Sequence, residues 1–185
     1  GRQGVWLVSD RKDATTERFD AVVLCTGSAT PALLRTFGAH LPMDTWVAHA
    51  LSGPTREPLD APLATVHDIQ RGITMARAGL RVRVSGPAMP VSRQPRADAA
   101  FKPLYAALNE WFPGALRVGV AGGVQEWSGQ IARTPDALPL LGPSGWPGIW
   151  LNTAHGMNGW LLACGCARAI ADQLAGNTPA QDLTP

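Results

Sequence analysis

The fold is decided by residues 149–174, which read IWLNT AHGMNG WLLACGCARAIADQL. Residues 149–153 begin with the apolar run Ile149-Trp150-Leu151 and predict a buried strand. Residues 160–174 have the length and apolar periodicity of a helix, and a Gly-Asn pair follows to end it. The turn between them contains Gly156 and Gly159. We therefore predict a strand, a glycine-containing turn and a long helix, in that order.

The start of this helix has two interpretations. A helix N-terminus offers unpaired N–H groups and a partial positive charge, which suit an anion or an electron-rich carbonyl. Gly156 and Gly159 would let such a ligand approach the main chain closely. The alternative is that the glycines only form a tight crossover, because a single G-x-x-G spacing is a weak signal.

A second strand–turn–helix unit lies near the start of the sequence. Residues 4–9 predict a short strand, and residues 19–25 predict a continuous apolar strand. The latter ends in a Thr-Gly-Ser turn at 26–28, and Pro31 then opens a short helix over 30–35. A strand that is apolar on both faces is typical of a central parallel sheet, where ligands bind at the carboxyl ends of strands.

The middle of the sequence has a different pattern. Short strands are predicted at 65–67, 73–76 and 80–85, with a hairpin turn at Ala78-Gly79. In the last strand, Leu80, Val82 and Val84 should share one face. An amphipathic helix is predicted over 97–112, and it ends at a Pro-Gly pair. This order of elements indicates an antiparallel α+β lobe.

The predicted fold class is therefore α/β, with a doubly wound part and an inserted antiparallel lobe. The expected division assigns residues 1–45 and 127–185 to the doubly wound part and residues 46–126 to the lobe.

Composition excludes several classes of protein. The 185 residues include 16 basic and 14 acidic side chains, for a net charge of +2, and these are scattered, so we expect no nucleic-acid partner. The three cysteines form no spaced Cys/His set, so we expect no metal. We find no apolar run of about 18 residues. The cytoplasm is the expected compartment, with peripheral attachment to the inner face of the membrane left open.

Four blocks resemble the FAD-dependent D-amino-acid dehydrogenase and glycine oxidase (DAO-like) family, in the same order and spacing. After WSG at 127–129, residues 134–142 (TPDALPLLG) resemble the signature T-P-D-G-x-P-x-I-G. Residues 151–165 resemble L-N-T-G-H-G-x-x-G-W-x-x-A-C-G, with Ala154 in place of a glycine. Residues 19–27 resemble the D-A-V-V-L-A-A-G strand of the FAD-binding fold, and 81–86 a strand of the substrate domain.

The resemblance implies FAD as cofactor and a D-amino acid or related amine as substrate. The implied reaction is oxidation of a C–N bond, with hydride transfer from the substrate α-carbon to flavin N5. It implies no acid or base residue, so the catalytic residues stay unknown. It places Gly27 near the adenosine half of FAD, and it places six residues against the flavin: Gly142, His155, Gly156, Met157, Asn158 and Gly159.

The family's dinucleotide fingerprint, G-x-G-x-x-G, has no match, and the glycine-rich residues 119–123 do not fit it. We therefore expect this chain alone to bind FAD weakly or not at all, and we expect a missing N-terminal half or a second subunit to carry the fingerprint. The first residue is Gly1 rather than Met, which we interpret as the mark of a fragment or processed piece. The alternative is a non-catalytic truncated or partner subunit that completes a flavin site with another chain.

The residues expected at the substrate are less well defined. The family block W-x-G-L-R-P-x-T-P-D carries an arginine that binds the substrate carboxylate, but Ile131 stands at that position. Arg133 lies two residues on, on the same face of an extended chain but displaced by about 7 Å. Arg133 is either a carboxylate partner or a solvated, structural arginine. His49 either lines the substrate pocket or has a surface or capping role, and Asp136 is expected to form a turn.

Overall fold

The computed structural model describes residues 6–10, 15–117, 119 and 123–180. The expectations for 1–5, 11–14 and 120–122 lie outside the described residues. The chain forms two compact units: Gly1–Asp44 with Ile131–Pro185 is unit 1, and Thr45–Gln130 is unit 2.

In chain order the strands are β1 (Trp6–Asp10), β2 (Thr15–Phe19), β3 (Val22–Leu24), β4 (Asp44–Pro54), β5 (Val66–Asp68), β6 (Ile73–Ala78), β7 (Arg81–Ser85), β8 (Met89–Pro90), β9 (Gln125–Arg133), β10 (Leu140–Pro143) and β11 (Ile149–Thr153). The α-helices are α1 (Thr30–Arg35), α2 (Ala97–Ala100), α3 (Lys102–Trp111) and α4 (Gly159–Leu174). The predicted mixed α/β class is confirmed.

Unit 1 is built on a three-stranded sheet in the order β10-β11-β3. Strand β11 runs parallel to β3, with Ile149 opposite Val22, and antiparallel to β10. Alternate residues of β11 are buried, and Ile149 and Leu151 pack with Leu34 of α1 in one apolar cluster. Helix α4 contacts β10 and β11. The predicted strand, turn and helix over 149–174 are confirmed, and Gly176 follows α4 with a positive φ of 76°.

The prediction of one continuous strand over 19–25 was wrong. Phe19 ends β2, where it pairs with Trp6 of β1. The chain bends at exposed Asp20, and β3 begins only at Val22. An exposed carboxylate at the bend stays hydrated, and the bend lets β3 leave the hairpin and pair with β11. Strand β3 is also only half-buried rather than buried.

Unit 2 is built on a six-stranded sheet in which β5-β6-β7-β4-β8 are neighbours and β9 pairs with β4. The pairs β5–β6 and β6–β7 are antiparallel, as predicted. Strands β4 and β8, which were not predicted, extend the sheet through the antiparallel pairs β7–β4 and β4–β8. The alternation in β7 places Val82 and Val84 in the core at 0 % exposure. Leu104 and Leu108 of α3 pack against them.

Three details of this unit differ from the predictions. Leu80 lies in the hairpin turn, not in β7, and is 73 % exposed. The turn is Gly79-Leu80 rather than Ala78-Gly79, because Gly79 adopts the left-handed φ of +61° that the turn requires. The single helix predicted over 97–112 is two helices, interrupted at Phe101. Pro103 follows two residues later, and its ring prevents α2 from continuing unbroken into α3.

Candidate functional site

A cleft of about 260 Å³ opens in unit 1 at the carboxyl ends of the parallel strands β3 and β11. This is the position at which open α/β sheets bind ligands. Its lining comes from the turn after β3, the end of β11 and the first turns of α4: Cys25, Gly27, Asn152, Thr153, His155, Gly159 and Ala163. Segments that are more than 100 residues apart in sequence therefore meet in one concave site.

A chain of hydroxyl groups holds the two strand ends together. Thr30, 0 % exposed at the start of α1, lies 3.2 Å from the Thr153 hydroxyl at the end of β11, which is 1 % exposed. The Thr30 hydroxyl is also 2.9 Å from that of Thr26, and Thr153 donates to the Gly27 carbonyl at 3.4 Å. Because buried hydroxyls need partners, this chain fixes the spacing across the cleft.

His155 is held in a defined orientation at the edge of the cleft. Its Nε2 lies 3.0 Å from Oδ1 of Asn152, and since an amide oxygen only accepts, Nε2 carries the proton and donates. Partial burial lowers the pKa of His155 below its ordinary value of 6.5, so the neutral imidazole is favoured. The main chain of His155 forms an antiparallel bridge with Arg133 at the end of β9.

The N-terminus of α4 faces the cleft without a side-chain cap. A 3-10 turn over Gly156–Asn158 leads into α4, and Asn158 at the N-cap makes no side-chain capping bond. The first turn contains no acidic residue. No side chain therefore competes with an external acceptor at the start of this 16-residue helix, where the helix dipole favours negative charge.

Two glycines leave the main chain open to a ligand. Gly27 and Gly156 have φ of +55° and +58°, and a Cβ added to either would have no atom within 4 Å. At Gly159 an added Cβ would come within 3.3 Å of the His155 Cβ, so glycine allows α4 to start close to that side chain. Gly27 and Gly156 combine positive φ with empty space, which favours a backbone that a ligand approaches.

Two alanines adopt positive φ, and both stand where the motifs that suggested the family have glycine. Ala154, between β11 and His155, has a φ of 60° and is 1 % exposed. Ala137 has a φ of 62° in the exposed turn before β10. In that turn the Asp136 carboxylate accepts from the Leu138 N–H at 3.0 Å, as expected of a turn-forming residue, and this bond lowers the pKa of Asp136.

The structure brings together most, but not all, of the residues that the sequence singled out. Gly27, His155 and Gly159 line the cleft, and Gly156, Met157 and Asn158 form the 3-10 turn beside it. Ile131 and Arg133 lie at the end of β9, next to His155 through the main-chain bridge. Gly142 lies in β10 close to Gln173 of α4 and is not among the lining residues.

His49 lies in unit 2 and is 4 % exposed. Its Nδ1 is 2.7 Å from the Ser128 hydroxyl, and its ring packs edge-on against Phe101 at a centroid distance of 5.3 Å. This burial contradicts a surface role for His49, because its ring is enclosed within unit 2. The sequence interpretation missed Cys25, Thr30, Asn152 and Thr153, although the last two lie inside the Leu-Asn-Thr block and could have been identified from it.

The chain matches the model of the FAD dependent oxidoreductase family over residues 1–173. It therefore belongs to this family, as predicted, and the family's cofactor is FAD. Among curated proteins, the chain is 36% identical over 165 residues to a D-amino acid dehydrogenase of Methylobacterium nodulans, covering 86% of this chain and 38% of the relative. It is 38% identical over 154 residues to a D-amino acid dehydrogenase of Sinorhizobium medicae, covering 83% and 36% respectively.

Solved structures show the same fold. The glycine oxidase of Geobacillus kaustophilus superposes with a TM-score of 0.77 at 22% sequence identity, covering 98% of this chain and 50% of that one. The iminodiacetate oxidase of Chelativorans superposes with a TM-score of 0.72 at 16% identity, covering 98% and 51%. The chain spans well under half of the length of the curated relatives it matches. No helix within the described ranges has both the length and the apolar character needed to cross a membrane.

Proposed function

We propose that this chain is part of a FAD-dependent oxidoreductase that oxidises the C–N bond of a D-amino acid or a related amine. One observation carries the proposal: the cleft at the ends of β3 and β11 joins open glycine main chain to an uncapped helix N-terminus. A flavin bound there supplies the acceptor for the hydride that leaves the substrate α-carbon.

The residues around the cleft are proposed to contact both halves of FAD. Gly27 is assigned to the adenosine half, and Gly142, His155, Gly156, Met157, Asn158 and Gly159 are assigned to the flavin. The main-chain N–H groups at the start of α4 would donate to an electron-rich ring edge and stabilise negative charge that develops there. Neutral His155, oriented by Asn152, shapes this loop and is assigned to binding rather than to catalysis.

Arg133 is proposed as the partner of the substrate carboxylate. A guanidinium makes two parallel charge-assisted hydrogen bonds with a carboxylate, which a lysine cannot reproduce. The main-chain bridge to His155 supports this role, because it brings Arg133 to the loop assigned to the flavin. Ile131, two residues earlier on β9, would provide an apolar neighbour. His49 is proposed only to shape the substrate lobe, since its ring is buried within unit 2.

The rest of the flavin site is proposed to come from a companion segment or subunit that carries the dinucleotide fingerprint. The cleft of about 260 Å³ is smaller than the roughly 300–1,000 Å³ of sites that enclose a drug-sized ligand, and FAD is larger still. The small size of the cleft also favours a second candidate function, in which this chain is a non-catalytic subunit that completes a flavin site on another chain.

Visible spectroscopy of the purified chain, alone and with a companion, tests the cofactor assignment. The companion is the part of the Methylobacterium nodulans D-amino acid dehydrogenase that the match to this chain does not cover. We expect a colourless chain alone and flavin absorbance in the complex. A complex that contains no flavin contradicts the proposal. Steady-state assays with D-alanine, glycine, sarcosine and putrescine then identify the substrate, and no turnover of any of them by a flavin-loaded complex favours the non-catalytic subunit.

Substitution of Arg133 in the same complex tests the substrate site. Arg133→Gln should raise KM for D-alanine by about 10- to 100-fold, because it removes a charge-assisted pair worth about 1.5–3 kcal/mol. Putrescine has no carboxylate and is the matched control, since its KM should not change. Equal effects on both substrates, or none on either, contradict the role of Arg133.

A further inference from the structure

The six-stranded sheet of unit 2 has one apolar face and one polar face. Val82 and Val84 of β7 are 0 % exposed and pack with α3, so the alternate residues of β7 lie on the opposite face. Residues directly opposite on antiparallel strands share a face, so the strand register extends this surface to β4 and β6. We call the resulting set the polar face, which consists of Ser52, Thr74, Ala76, Arg81, Arg83 and Ser85.

Arg83 stands at the centre of the polar face. Its cross-strand neighbours are Ser52 on β4 and Ala76 on β6, and both are short. The Arg83 side chain is exposed, and it forms no hydrogen bond or ion pair with any residue that the structure describes. A guanidinium carries five N–H donors in a planar fork that matches the two oxygens of a carboxylate. Arg83 therefore offers this fork to a ligand above short side chains that leave room for it.

Arg81 adds a second positive charge to the same face, two residues along β7 at a spacing of about 7 Å. Its Nε donates to the Ser52 hydroxyl at 3.2 Å. Its Nη2 donates to the carbonyls of Ser52 at 2.8 Å and Gly123 at 3.2 Å. These three acceptors are uncharged, so these bonds fix the Arg81 guanidinium without cancelling its charge. The Ser52 hydroxyl accepts from Arg81 and keeps its own proton for another acceptor.

The charges of the polar face all have one sign. None of its six members is acidic, whereas solvated surfaces usually intersperse both signs. Three acidic residues of unit 2 are bound to other arginines: Asp60 to Arg56, and Asp68 and Glu110 to Arg71. Like charges on one face repel each other, and an anion bound at Arg83 would relieve that repulsion. The polar face therefore has the charge and the donors of an anion site.

We propose that the polar face, centred on Arg83, binds the carboxylate of a small organic acid. The guanidinium of Arg83 takes both carboxylate oxygens, and the hydroxyls of Ser52 and Ser85 donate beside it. A carboxylate has a single negative charge, which suits one guanidinium better than the charge of about −1.5 to −2 on a phosphate group. The site lies wholly within unit 2. It goes beyond the proposed function and does not depend on a bound flavin.

Titration of the isolated chain with pyruvate, followed by NMR, tests the site. The amide signals of Arg83 and Ser52 should shift and saturate. Arg83→Gln should weaken pyruvate binding at least tenfold, because it removes the fork. Arg77→Gln is the matched control, because it removes the same charge from β6 but lies opposite Val82, on the other face. Arg77 donates there to the Pro58 carbonyl at 2.9 Å, and its replacement should leave pyruvate binding unchanged.

Arg83→Lys separates the geometry of the fork from its charge. A lysine keeps the charge but cannot make two parallel hydrogen bonds, so pyruvate binding should still weaken at least threefold. Melting followed by circular dichroism shows whether the variants remain folded, as expected for an exposed position. The proposal is overturned by the absence of saturable binding, by binding that Arg83→Gln leaves intact, or by an equal loss in Arg77→Gln. Inorganic phosphate that binds more tightly than pyruvate overturns the choice of a carboxylate.

Kinetics of the flavin-loaded complex distinguish two sources of the carboxylate. If the substrate supplies it, Arg83→Gln should raise KM for D-alanine at least tenfold and leave KM for putrescine unchanged. If both values stay unchanged while the isolated variant has lost pyruvate binding, the carboxylate belongs to a separate acid. A complex without flavin contradicts the FAD assignment and leaves the pyruvate titration unaffected, so the two proposals fail separately.

Discussion

At the scale of single residues, two alanines hold backbone conformations that a Cβ disfavours. Ala137 and Ala154 have φ of 62° and 60°, in the left-handed region that glycine adopts without strain. Each stands at a position where the family motif has glycine. Each therefore adopts a backbone conformation that suits glycine better than alanine. Ala154 lies directly between the buried Thr153 and His155 at the cleft.

Replacement of Ala137 by glycine should raise the free energy of unfolding by about 0.5–1 kcal/mol. Relief of about 1–2 kcal/mol of left-handed strain exceeds the roughly 0.5–1 kcal/mol entropic cost of glycine. Ala154→Gly should change stability little, because it also removes a buried methyl group worth about 0.8 kcal/mol. Urea denaturation of both variants measures the difference. Destabilisation by Ala137→Gly would show that the turn carries no such strain.

His155 should make the protein less stable in mild acid. Burial holds the pKa of His155 in the folded state below 6.5. At pH values between this folded-state pKa and 6.5, the unfolded chain therefore binds more protons than the folded chain. This stabilising contribution is complete above about pH 6.5 and is lost as the pH falls through the folded-state pKa. His155→Gln should remove this part of the pH dependence, measured as the difference from the unsubstituted protein. An NMR titration that gives His155 a pKa at or above 6.5 would contradict the prediction.

At the scale of elements, the site depends on how the end of β11 is joined to the start of α1. The hydroxyls of Thr30 and Thr153 are nearly inaccessible to solvent and lie 3.2 Å apart, although 123 residues separate them in sequence. Each also has a second partner, at Thr26 and at the Gly27 carbonyl. The chain of hydrogen bonds therefore links the turn that carries Gly27 to the strand that leads into the His155 loop.

A double-mutant cycle measures this link. Thr30→Val and Thr153→Val should each cost about 0.5–1.5 kcal/mol, because each removes one hydrogen bond from a buried hydroxyl that keeps its second partner. The double variant should cost at least about 0.5 kcal/mol less than the two added together. The free energies come from urea denaturation. Additive costs, within about 0.3 kcal/mol, would mean that the two hydroxyls do not stabilise each other.

At the scale of the whole molecule, the chain contains two compact units but spans under half of its curated relatives. The assignment of unit 1 to FAD and unit 2 to substrate stays a prediction, as do the site residues.

Addition of FAD to the isolated chain should raise its melting temperature little. A ligand stabilises by RT ln(1 + [L]/Kd), about 2.7 kcal/mol at 100 times Kd, so weak binding gives a small shift. The complex with a companion should be stabilised strongly by the same FAD concentration. Thermal unfolding with and without FAD checks both. A large shift for the isolated chain would show that its cleft of about 260 Å³ binds FAD without a companion.

The sequence by itself determined the elements whose signals are local. Strand β11, the glycines that follow it and the length of α4 were all predicted from neighbouring residues, as was the shared face of Val82 and Val84. The four motif blocks also identified the family. Hydrophobic periodicity and turn-forming residues are features of a few neighbouring residues. They can therefore be recognised before the fold is known.

Only the tertiary structure decided the rest. Strand β4, the longest in the described chain, escaped prediction because its middle is buried without alternation, from Val47 to Leu51. The bridge between Arg133 and His155 and the bond between Thr30 and Thr153 join distant residues. Such pairings depend on which elements pack together, and burial there is imposed by partners far along the chain rather than by the residues beside it.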